Sequence, residues 1–433
     1  MRKQTVSLCA TYTLALLVAL AGSMKATGLR HGFNSNSSRI FNIISFGAVG
    51  NGIEDDSQAI VSAWRAACAV PRATLLVPSD FRFLVSPLTL QGPCNSKLVL
   101  QIEGTILAAL TTRNSLKSNI FQWLNFKWLN SFTIQGSGIV DGQWSQFRTL
   151  SLIHQNSTIP PAALRPTVVR FYSSYNILVH DIQIVDSPQC HLKFDSCRWI
   201  RVKNVTIFSP EVTPNTDGIH LQNTRDVEIR KSNIGCGDDC ISIQTGCSNI
   251  HIKNINCNPG HGISIGGLGR GDSLACVSNV VVDSVNVQNA LSGVRIKTWQ
   301  GGIGTVKNIT FTNIKVSNVK TPIMIDQFYC DQSSCHNKTD AVSISDITYQ
   351  GITGTYSYEP IRFACSDSVP CTGLNLMNVH LIPVNWWQYK RKAFCWKSYG
   401  AAWGPVEPLS AGCLERSNNR LIKILTKPHN YTC

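Results

Sequence analysis

The chain has 433 residues, of which 43% are hydrophobic and 15% charged, and its formal net charge is +14. The hydrophobic content is enough for a large core, and the many glycine and asparagine residues argue against a mainly helical protein. A basic balance of this size favours a polyanionic partner, which leaves nucleic acid and acidic polysaccharide as the two candidates.

The N-terminal segment is typical of a secretory signal peptide. Arg2 and Lys3 precede a mainly apolar run from Val6 to Ala21, and small residues lie at its end. We therefore predict a signal peptide over residues 1–28, with a retained membrane anchor as the alternative. Its removal takes away three cations and lowers the net charge to +11. No later stretch is apolar enough to span a bilayer, so we expect an exported protein that is free of the membrane.

The cysteines agree with export. Sixteen of the 17 follow the predicted signal peptide, which allows up to eight disulfides, and Cys330–Cys335 and Cys365–Cys371 are plausible pairs across short loops. A zinc site is the alternative, but Cys236 and Cys240 have no matching Cys/His pair at the usual spacing. Six sequons for N-glycosylation also fit a secreted chain. Export therefore disfavours nucleic acid and leaves an acidic polysaccharide as the expected partner.

An amphipathic helix is predicted near the beginning of the mature chain. Asp55, Asp56 and Ser57 can cap a helix N-terminus, and apolar residues follow at helical spacing from Ala59 to Ala67. We place this helix as a lid over the first coil of the repeats described next.

A phrase made of a polar residue followed by alternating apolar residues recurs along the chain. Its copies are Asn176–Val179, Trp199–Val202, Asp226–Ile229, Asn249–Ile252, Asn279–Val282 and Asn308–Phe311, at steps of 23 to 30 residues. Each copy indicates a half-buried strand, and a unit this short can bury its apolar face only by stacking on its neighbours. The leucine and asparagine frame of leucine-rich repeats is absent, and a β-sandwich would not need this register.

We therefore predict an all-β fold, a single-stranded right-handed parallel β-helix (a solenoid) with the N-terminal capping helix. The repeat is lost from Trp386 to Cys433, a segment rich in Trp, Gly, Pro and Cys. We interpret this segment as a disulfide-tied C-terminal cap. One domain then spans 29–433, with a repeat core at about 41–385.

Four short motifs fall in consecutive coils. They are Asn215-Thr216-Asp217-Gly218, Gly237-Asp238-Asp239-Cys240, Gly260-His261-Gly262 and Arg295-Ile296-Lys297. Asp217, Asp239 and His261 are spaced by 22 residues, about one coil, so we expect them to stack at roughly 5 Å per coil on one outer face. If Ile296 points inward, strand alternation turns Arg295 and Lys297 outward.

Carboxylates stacked this closely repel one another, and at least one pKa should rise. Such clusters are more often functional than structural. A polar ladder or a calcium site on a β-helix remains the structural alternative.

The four motifs, in this order, resemble those of the polygalacturonases of glycoside hydrolase family 28. Phe41–Ala48 and Ser137–Gly142 are similar to other family phrases, and Arg295–Gly302 is similar to the plant members. The resemblance covers roughly Phe41 to Cys413. It implies an inverting hydrolase of the α-1,4-galacturonosyl linkages of polygalacturonan in the cell wall. No cofactor and no metal are implied, and we expect a monomer.

The resemblance also implies catalytic roles. Asp238 is the general acid that protonates the glycosidic oxygen, while Asp217 and Asp239 hold and deprotonate the attacking water. Two ionised neighbours would raise the pKa of the third carboxyl and keep Asp238 protonated at mildly acidic pH. His261 tunes this proton or holds the sugar, with a structural hydrogen bond as its alternative.

Four further residues are implied to bind substrate or to orient the acids. Arg295 and Lys297 match the cations that bind the galacturonate carboxylate, and a guanidinium can do so with two hydrogen bonds. Tyr329 resembles a family tyrosine near the scissile bond, although it could only pack beside Cys330. Asn215 is expected to orient Asp217.

Three alternatives to this function stay open. A calcium-dependent lyase on the same fold would leave an unsaturated sugar end, and a noncatalytic wall-binding protein would bind pectin without cutting it. A hydrolase of rhamnogalacturonan or xylogalacturonan would differ only in substrate. Endo and exo attack are not distinguished, because the loops that would close the groove are not readable from the sequence.

Overall fold

A computed structural model describes residues 39–109, 121–145, 165–331, 335, 337–385, 391–408, 413–415 and 433. All of them belong to one unit, Ser38–Cys433. The predicted signal peptide and the start of the predicted C-terminal cap at Trp386 lie outside the described residues. Within these ranges, no helix is both long enough and apolar enough to cross a membrane.

Short strands make up most of the described chain. The first fifteen are β1 (Ile40–Asn42), β2 (Asn51–Asp55), β3 (Thr74–Val77), β4 (Arg82–Val85), β5 (Leu88–Gln91), β6 (Leu98–Ile102), β7 (Thr105–Ala108), β8 (Gln122–Lys127), β9 (Asn130–Gln135), β10 (Ile139–Asp141), β11 (Thr167–Tyr172), β12 (Tyr175–His180), β13 (Gln183–Val185), β14 (Leu192–Asp195) and β15 (Arg198–Lys203). The others are β16 (Thr206–Phe208), β17 (Ile219–Gln222), β18 (Arg225–Gly235), β19 (Ile241–Ile243), β20 (Cys247–Cys257), β21 (Ile263–Leu268), β22 (Leu274–Gln288), β23 (Ser292–Trp299), β24 (Ile303–Val319), β25 (Thr321–Tyr329), β26 (Ser343–Tyr356), β27 (Ile361–Ala364), β28 (Cys371–Pro383), β29 (Phe394–Trp396) and β30 (Ser398–Glu407). The described helices are α1 (Ser57–Cys68) and the short 3-10 turns Ile43–Phe46 and Arg270–Asp272.

The strands pair in parallel with their equivalents in the next coil. Eleven form one sheet in the order β5-β8-β11-β14-β17-β19-β21-β23-β25-β27-β29, which we call the catalytic sheet because the site described below lies on it. The remaining nineteen form the rest of the coil wall. Inward residues stack in columns, such as the fully buried Ile219, Ile241, Ile263, Val294 and Ile323. This architecture confirms the predicted parallel β-helix.

The repeat phrase also has the predicted register. The first apolar residues of its copies pair in succession along the coil wall: Ile177, Ile200, Val227, Ile250, Val280 and Ile309. All of them are buried, while the residues on either side of them face outward or form the corner. The alternation therefore sorts each strand between core and surface, as the sequence indicated.

Helix α1 begins at Ser57 and ends at Cys68, and it covers the end of the core. Its inward face consists of the predicted residues Ala59, Ile60, Ala63, Trp64 and Ala67. Its capping differs from the expectation. Asp56 occupies the N-cap position, but its carboxylate accepts hydrogen bonds from the amides of Val49 and Gly50 instead of from the helix. Asp55 accepts the Ser57 amide at 2.9 Å.

Coils continue beyond the predicted end of the repeat core at residue 385. β29 pairs with β27, and β30 pairs with β28, so the stack reaches Glu407. The sequence missed these strands because parallel pairing uses the backbone and does not require the polar-then-aliphatic phrase. Disulfides Cys365–Cys371, Cys395–Cys413 and Cys276–Cys433 tie this part of the chain, which confirms the disulfide-tied C-terminal region.

In the described part of the chain the cysteines form six disulfides rather than the eight that their number would allow. Both short-loop pairs are confirmed, and the other four are Cys68–Cys94, Cys240–Cys257, Cys276–Cys433 and Cys395–Cys413. The remaining thiols, Cys190, Cys197, Cys236 and Cys247, are all buried. Cys240 is thus tied to the following coil and does not form a metal pair with Cys236.

Candidate active site

The predicted 22-residue column exists on the catalytic sheet. Ile219, Ile241 and Ile263 are in register, so the residue two places before each occupies the same position in successive coils. The backbone joins these positions directly. The Gly218 amide donates to the Asp239 carbonyl at 2.9 Å, and the His261 amide donates to the Asp238 carbonyl at 2.7 Å. Asp217, Asp239 and His261 are therefore placed one above another.

A cleft of about 670 Å³ lies over this column, and all eight predicted site residues line it. The lining consists of Lys193, Asn215, Asp217, His220, Gln222, Asp238, Asp239, Ser242, Gln244, Thr245, His261, Gly266, Gly267, Arg270, Leu291, Arg295, Lys297, Trp299, Tyr329 and Asp331. The three carboxylates thus share the cleft with four cations, Lys193, Arg270, Arg295 and Lys297.

Asp239 is the most deeply buried of the three acids, with 2% of its surface exposed. One of its oxygens accepts hydrogen bonds from Arg295 Nη2 at 2.6 Å and Ser264 Oγ at 2.6 Å, and the other accepts Lys297 Nζ at 2.9 Å. Burial alone would raise the pKa of Asp239, but the charges of Arg295 and Lys297 outweigh it and hold that pKa well below its usual range. Asp239 is therefore an ionised carboxylate at all but strongly acidic pH.

Arg295 and Lys297 point away from the core, as strand alternation predicted. Between them, Ile296 is fully buried in the core. Both cations are themselves largely shielded from solvent, because Asp239 and the cleft wall surround them. Arg295 Nε also donates to Ser264 Oγ at 2.8 Å. The sequence did not reveal that these cations neutralise a buried carboxylate of the cleft.

Asp217 has a different partner from the one expected. Its Oδ2 lies 2.8 Å from His220 Nδ1, whereas no hydrogen bond joins it to Asn215 among the described residues. Burial raises the pKa of Asp217, and the charges of Asp238 and Asp239 add to this effect, although the His220 hydrogen bond opposes it. One carboxyl of the cluster, Asp217, thus has a raised pKa, as expected for stacked carboxylates.

Asp238 is the most exposed of these three acids, with 20% of its side chain exposed against 14% for Asp217 and 3% for Asp239. Its Oδ1 lies 3.0 Å from His261 Nδ1 and also accepts the Asp239 amide at 2.8 Å. His261 therefore orients Asp238 toward the cleft.

Aromatic residues form another part of the cleft wall. The rings of Trp299 and Tyr329 meet edge to face at 5.5 Å, and Lys297 Nζ lies 5.2 Å above the Tyr329 ring. The Arg270 guanidinium lies 5.0 Å over Trp299. Gly267 lets these rings approach, because a Cβ there would come within 2.9 Å of Tyr329. Tyr329 thus lines the site and does more than pack beside its neighbouring cysteine.

Sequence reasoning missed His220, Ser264, Lys193, Trp299 and Arg270. A signal for the first three was present, because each occupies an outward position on a strand of the catalytic sheet. Lys193 pairs in register with His220, and Ser264 pairs with Arg295. Extending the alternation rule from the column to its neighbouring strands would have identified them.

Ligand atoms of Asp238, Asp239 and His261 lie within 4.8 Å of one another, as a cation site would require. The donor set does not fit one, however. Both Asp239 oxygens are already bonded to Arg295 or Lys297, and these buried charges would repel a divalent ion. The calcium interpretation of the cluster is therefore disfavoured by its own electrostatics.

Comparison with known proteins identifies the family. The model of the glycosyl hydrolases family 28 matches residues 68–391. A probable polygalacturonase of Arabidopsis thaliana is 39% identical over 92% of this chain and 92% of its own length. A polygalacturonase of Persea americana is 41% identical over 78% of this chain and 72% of its own length.

Solved structures support the same fold. An endo-xylogalacturonan hydrolase of Aspergillus tubingensis superposes with a TM-score of 0.70 at 19% identity, covering 85% of this chain and 99% of its own. An exopolygalacturonase of Thermotoga maritima gives a TM-score of 0.65 at 20% identity, covering 80% and 89%. The chain therefore belongs to glycosyl hydrolase family 28 and is a glycoside hydrolase.

Proposed function

We propose that this enzyme hydrolyses the α-1,4-galacturonosyl linkages of polygalacturonan by a single displacement that inverts the anomeric carbon. The observation that carries the proposal is the meeting of Asp217, Asp238 and Asp239 with Arg295 and Lys297 in one cleft. The carboxylates can exchange protons with the glycosidic oxygen and with water, and the cations favour an anionic sugar. The curated relatives described above, which are polygalacturonases, support the same substrate.

In the proposed mechanism Asp238 is the general acid. It is the most exposed of the three acids, and His261 holds it at 3.0 Å. Asp238 gives its proton to the glycosidic oxygen as the bond from that oxygen to the anomeric carbon breaks. Water attacks the same carbon from the other side and loses its proton to the Asp217 and Asp239 pair.

The two water-activating carboxylates differ in their proton affinity. Asp239 is kept ionised by its cations, so it can orient the water at any working pH. The pKa of Asp217 is raised by burial. Because only its ionised form can accept a proton from water, we expect the rate to fall as the pH drops through that pKa.

Substrate binding uses the cationic and aromatic walls. We assign Arg295 and Lys297 to the carboxylate of the galacturonate at the cut site, while they continue to neutralise Asp239. Tyr329 offers a ring face to a neighbouring sugar, and Asn215 lies at the cleft wall, where it contacts substrate in place of the orienting role expected for it. The cysteine content and the N-terminal sequence support export to the cell wall, where we propose that the enzyme acts as a monomer.

Products formed from polygalacturonate over time, resolved by chain length, test this function. We expect new reducing ends, no ultraviolet-absorbing unsaturated ends and no effect of chelator. Unsaturated ends that a chelator abolishes would instead identify a lyase, and binding without new ends would identify a noncatalytic protein. Faster cutting of rhamnogalacturonan or xylogalacturonan would move the substrate assignment to those polymers. The distribution of lengths also separates endo from exo attack.

The roles of the acids are tested by Asp238→Asn and Asp217→Asn. Both should lower the rate on the polymer by about 10²–10⁴-fold, the usual contribution of a general acid or base. A galacturonosyl fluoride needs little protonation of its leaving group, so Asp238→Asn should retain much of the rate on that substrate while Asp217→Asn loses it. The opposite pattern would make Asp217 the acid, in keeping with its raised pKa.

A further inference from the structure

A ladder of left-handed residues runs along the corner that follows the catalytic sheet. Its members share one register position and φ values of 54° to 57°: Ser131, Asn176, Trp199, Asp226, Asn249, Asn279 and Asn308. Side chains connect successive coils, with Asn249 donating to Asp226 at 2.9 Å and Asn279 donating to Asn249 at 3.1 Å. Asn and Asp suit this position because their short side chains tolerate the left-handed backbone.

Trp199 interrupts this ladder. A bulky residue in the left-handed region is an outlier, and Trp199 cannot make the amide hydrogen bonds that link the other coils. Burial does not compensate, because half of its surface, 50%, is exposed. An exposed side chain that is unfavourable for the backbone and for the ladder indicates a role in binding.

Trp199 lines a small groove on the surface, and its ring also contacts two neighbours that do not line the groove. Tyr175, which is 45% exposed, meets the Trp199 ring edge to face at 6.5 Å, and the Arg198 guanidinium lies 4.5 Å over the same ring. The groove has a volume of about 380 Å³, and Arg201 and Glu228 are among the residues that line it.

The charges of this groove leave one cation available. Arg198 neutralises Asp226 at 2.7 Å, and Arg230 lies 3.5 Å from Glu228. Arg201 is exposed and has no ion pair among the described residues. An aromatic face beside an unpaired guanidinium is suited to a sugar ring that carries a carboxylate.

We propose that the groove around Trp199 and Arg201 is a second binding site for an acidic polysaccharide, separate from the catalytic cleft. A uronate ring stacks on Trp199, and Arg201 pairs with its carboxylate. The choice of polygalacturonan as this polymer rests on the proposed function. The groove lies one corner away from the cleft, since Ser196 and Cys197 connect β14, which carries the cleft residue Lys193, to β15. A polymer held there would stay close to the active site.

The repeat itself supplies the test variant. Trp199→Asn places at this position the residue that the ladder uses in most other coils, so the fold should be kept or slightly stabilised. Trp403→Asn is the matched control, because Trp403 is also exposed but belongs to β30, far along the coil stack. Arg201→Gln removes the cation, and Arg201→Lys restores a positive charge without the planar fork.

Binding is measured by native electrophoresis through gels that contain polygalacturonate, with every variant also carrying Asp238→Asn so that the polymer stays intact. Trp199→Asn should weaken the retardation by about tenfold, which corresponds to one lost aromatic stack. Arg201→Gln should weaken it as well, with partial recovery in Arg201→Lys, while Trp403→Asn should match the parent. In the active enzyme, which retains Asp238, the single substitution Trp199→Asn should lower the rate on long polymer relative to the rate on short oligomers.

Equal retardation of Trp199→Asn and the parent would overturn the second site. The proposal would also fail if Trp199→Asn lost binding only to a neutral wall polymer, because the groove would then hold a different polymer. It would fail as well if Trp199→Asn changed a dimer into a monomer in sedimentation, because the groove would then be occupied by a second copy of the chain. If the enzyme with Asp238 fails to cut polygalacturonate but Trp199→Asn still weakens binding, the proposed function fails and the second site stands.

Discussion

At the scale of single residues, the site depends on the buried ion pairs of Asp239 with two cations. Several hydrogen bonds offset the free-energy cost of removing these charges from water. Removing Asp239, Arg295 and Lys297 from water is unfavourable, and such a group is retained only where every charge finds a partner. Here Ser264 bridges Asp239 and Arg295, so that the carboxylate and the guanidinium share a hydroxyl. The arrangement holds one carboxylate ionised in a place where burial would otherwise protonate it.

Replacing Lys297 with Met tests this arrangement. The change removes a charge that lowers the pKa of Asp239 and a proposed contact to the substrate carboxylate. We expect kcat/KM on polygalacturonate to fall by about 10- to 100-fold, the scale of one hydrogen bond to a charged group. The acid limb of the pH–rate profile, which the protonation of Asp217 sets in the parent, should become steeper, because Asp239 then also takes up a proton as the pH falls.

The stability of the same variant has a defined pH dependence. The pKa of Asp239 is depressed in the folded enzyme, so this group stabilises the fold above its unfolded pKa, for which the usual value is 3.8, and loses that effect as the pH falls through its folded pKa. The stability deficit of Lys297→Met, measured by denaturant unfolding, should be full at neutral pH and shrink below the Asp239 pKa of the variant. Lys297→Arg, which keeps the charge, is the control. A deficit that is constant from neutral to acidic pH would contradict the assignment.

Sequence reasoning located the acids but not their partners, and the reason is geometric. The 22-residue spacing fixes Asp217, Asp239 and His261 because the backbone repeats at that period. The direction in which a long cationic side chain points is not fixed by this repeat. Arg295 lies 56 residues from Asp239, and the same outward position could equally have faced solvent or substrate. The His220 contact to Asp217 requires knowledge of how the turn before β17 bends.

At the scale of elements, the site needs the strand starts of neighbouring coils to approach closely. Gly262 lies between His261 and β21, with φ at +82°. A Cβ at Gly262 would come within 2.2 Å of the Ser292 carbonyl oxygen in the next coil, and backbone atoms cannot move aside as a flexible side chain can. The closeness of the coils at this point is therefore part of what places His261.

The variant Gly262→Ala, compared with a control, distinguishes the steric cost of a Cβ at this close approach from the cost of a positive φ. We expect it to destabilise the enzyme by about 3 kcal/mol, at the upper end of ordinary single substitutions, and to lower activity because His261 and Asp238 shift. Gly47→Ala is the matched control, because Gly47 also has a positive φ, +95°, but no atom lies within 4 Å of its Cβ position. That control should cost only about 1 kcal/mol, for the left-handed backbone, and leave activity unchanged. Similar losses in both variants, by thermal unfolding and by assay, would disprove the steric argument.

The sequence predicted the N-terminal end of the coil stack but not its C-terminal end. The start of α1 follows from the residues before it, since Ser57 begins the helix in the expected place. The last coil escaped notice because β29 and β30 carry the exposed aromatic residues Trp396 and Trp403 and lack the phrase of a polar residue followed by alternating apolar residues. Hydrophobic alternation detects strands that cover a core, and it detects end strands poorly.

At the scale of the whole molecule, two kinds of electrostatic interaction act on the same reaction. The net charge, +14 for the full sequence and +11 without the predicted signal peptide, acts through solvent on an anionic polymer. The pairs between Asp239 and its two cations are buried and short, at 2.6 and 2.9 Å. Salt screens charges that face solvent far more than it screens buried pairs, so the two contributions can be separated by ionic strength.

We therefore expect salt to weaken capture of the polymer and to leave the chemical step nearly unchanged. Between about 0.02 M and about 0.3 M salt the screening length falls from roughly 20 Å to below 10 Å, so KM for long polygalacturonate should rise several-fold while kcat stays within about twofold. Short oligomers should show a smaller rise in KM, because they reach fewer of the surface cations. Initial rates on both substrates, with the thermal midpoint followed at each salt concentration to exclude unfolding, make the measurement. A fall in kcat at constant KM would mean that the ion pairs around Asp239 are open to solvent during turnover, contrary to the burial seen here.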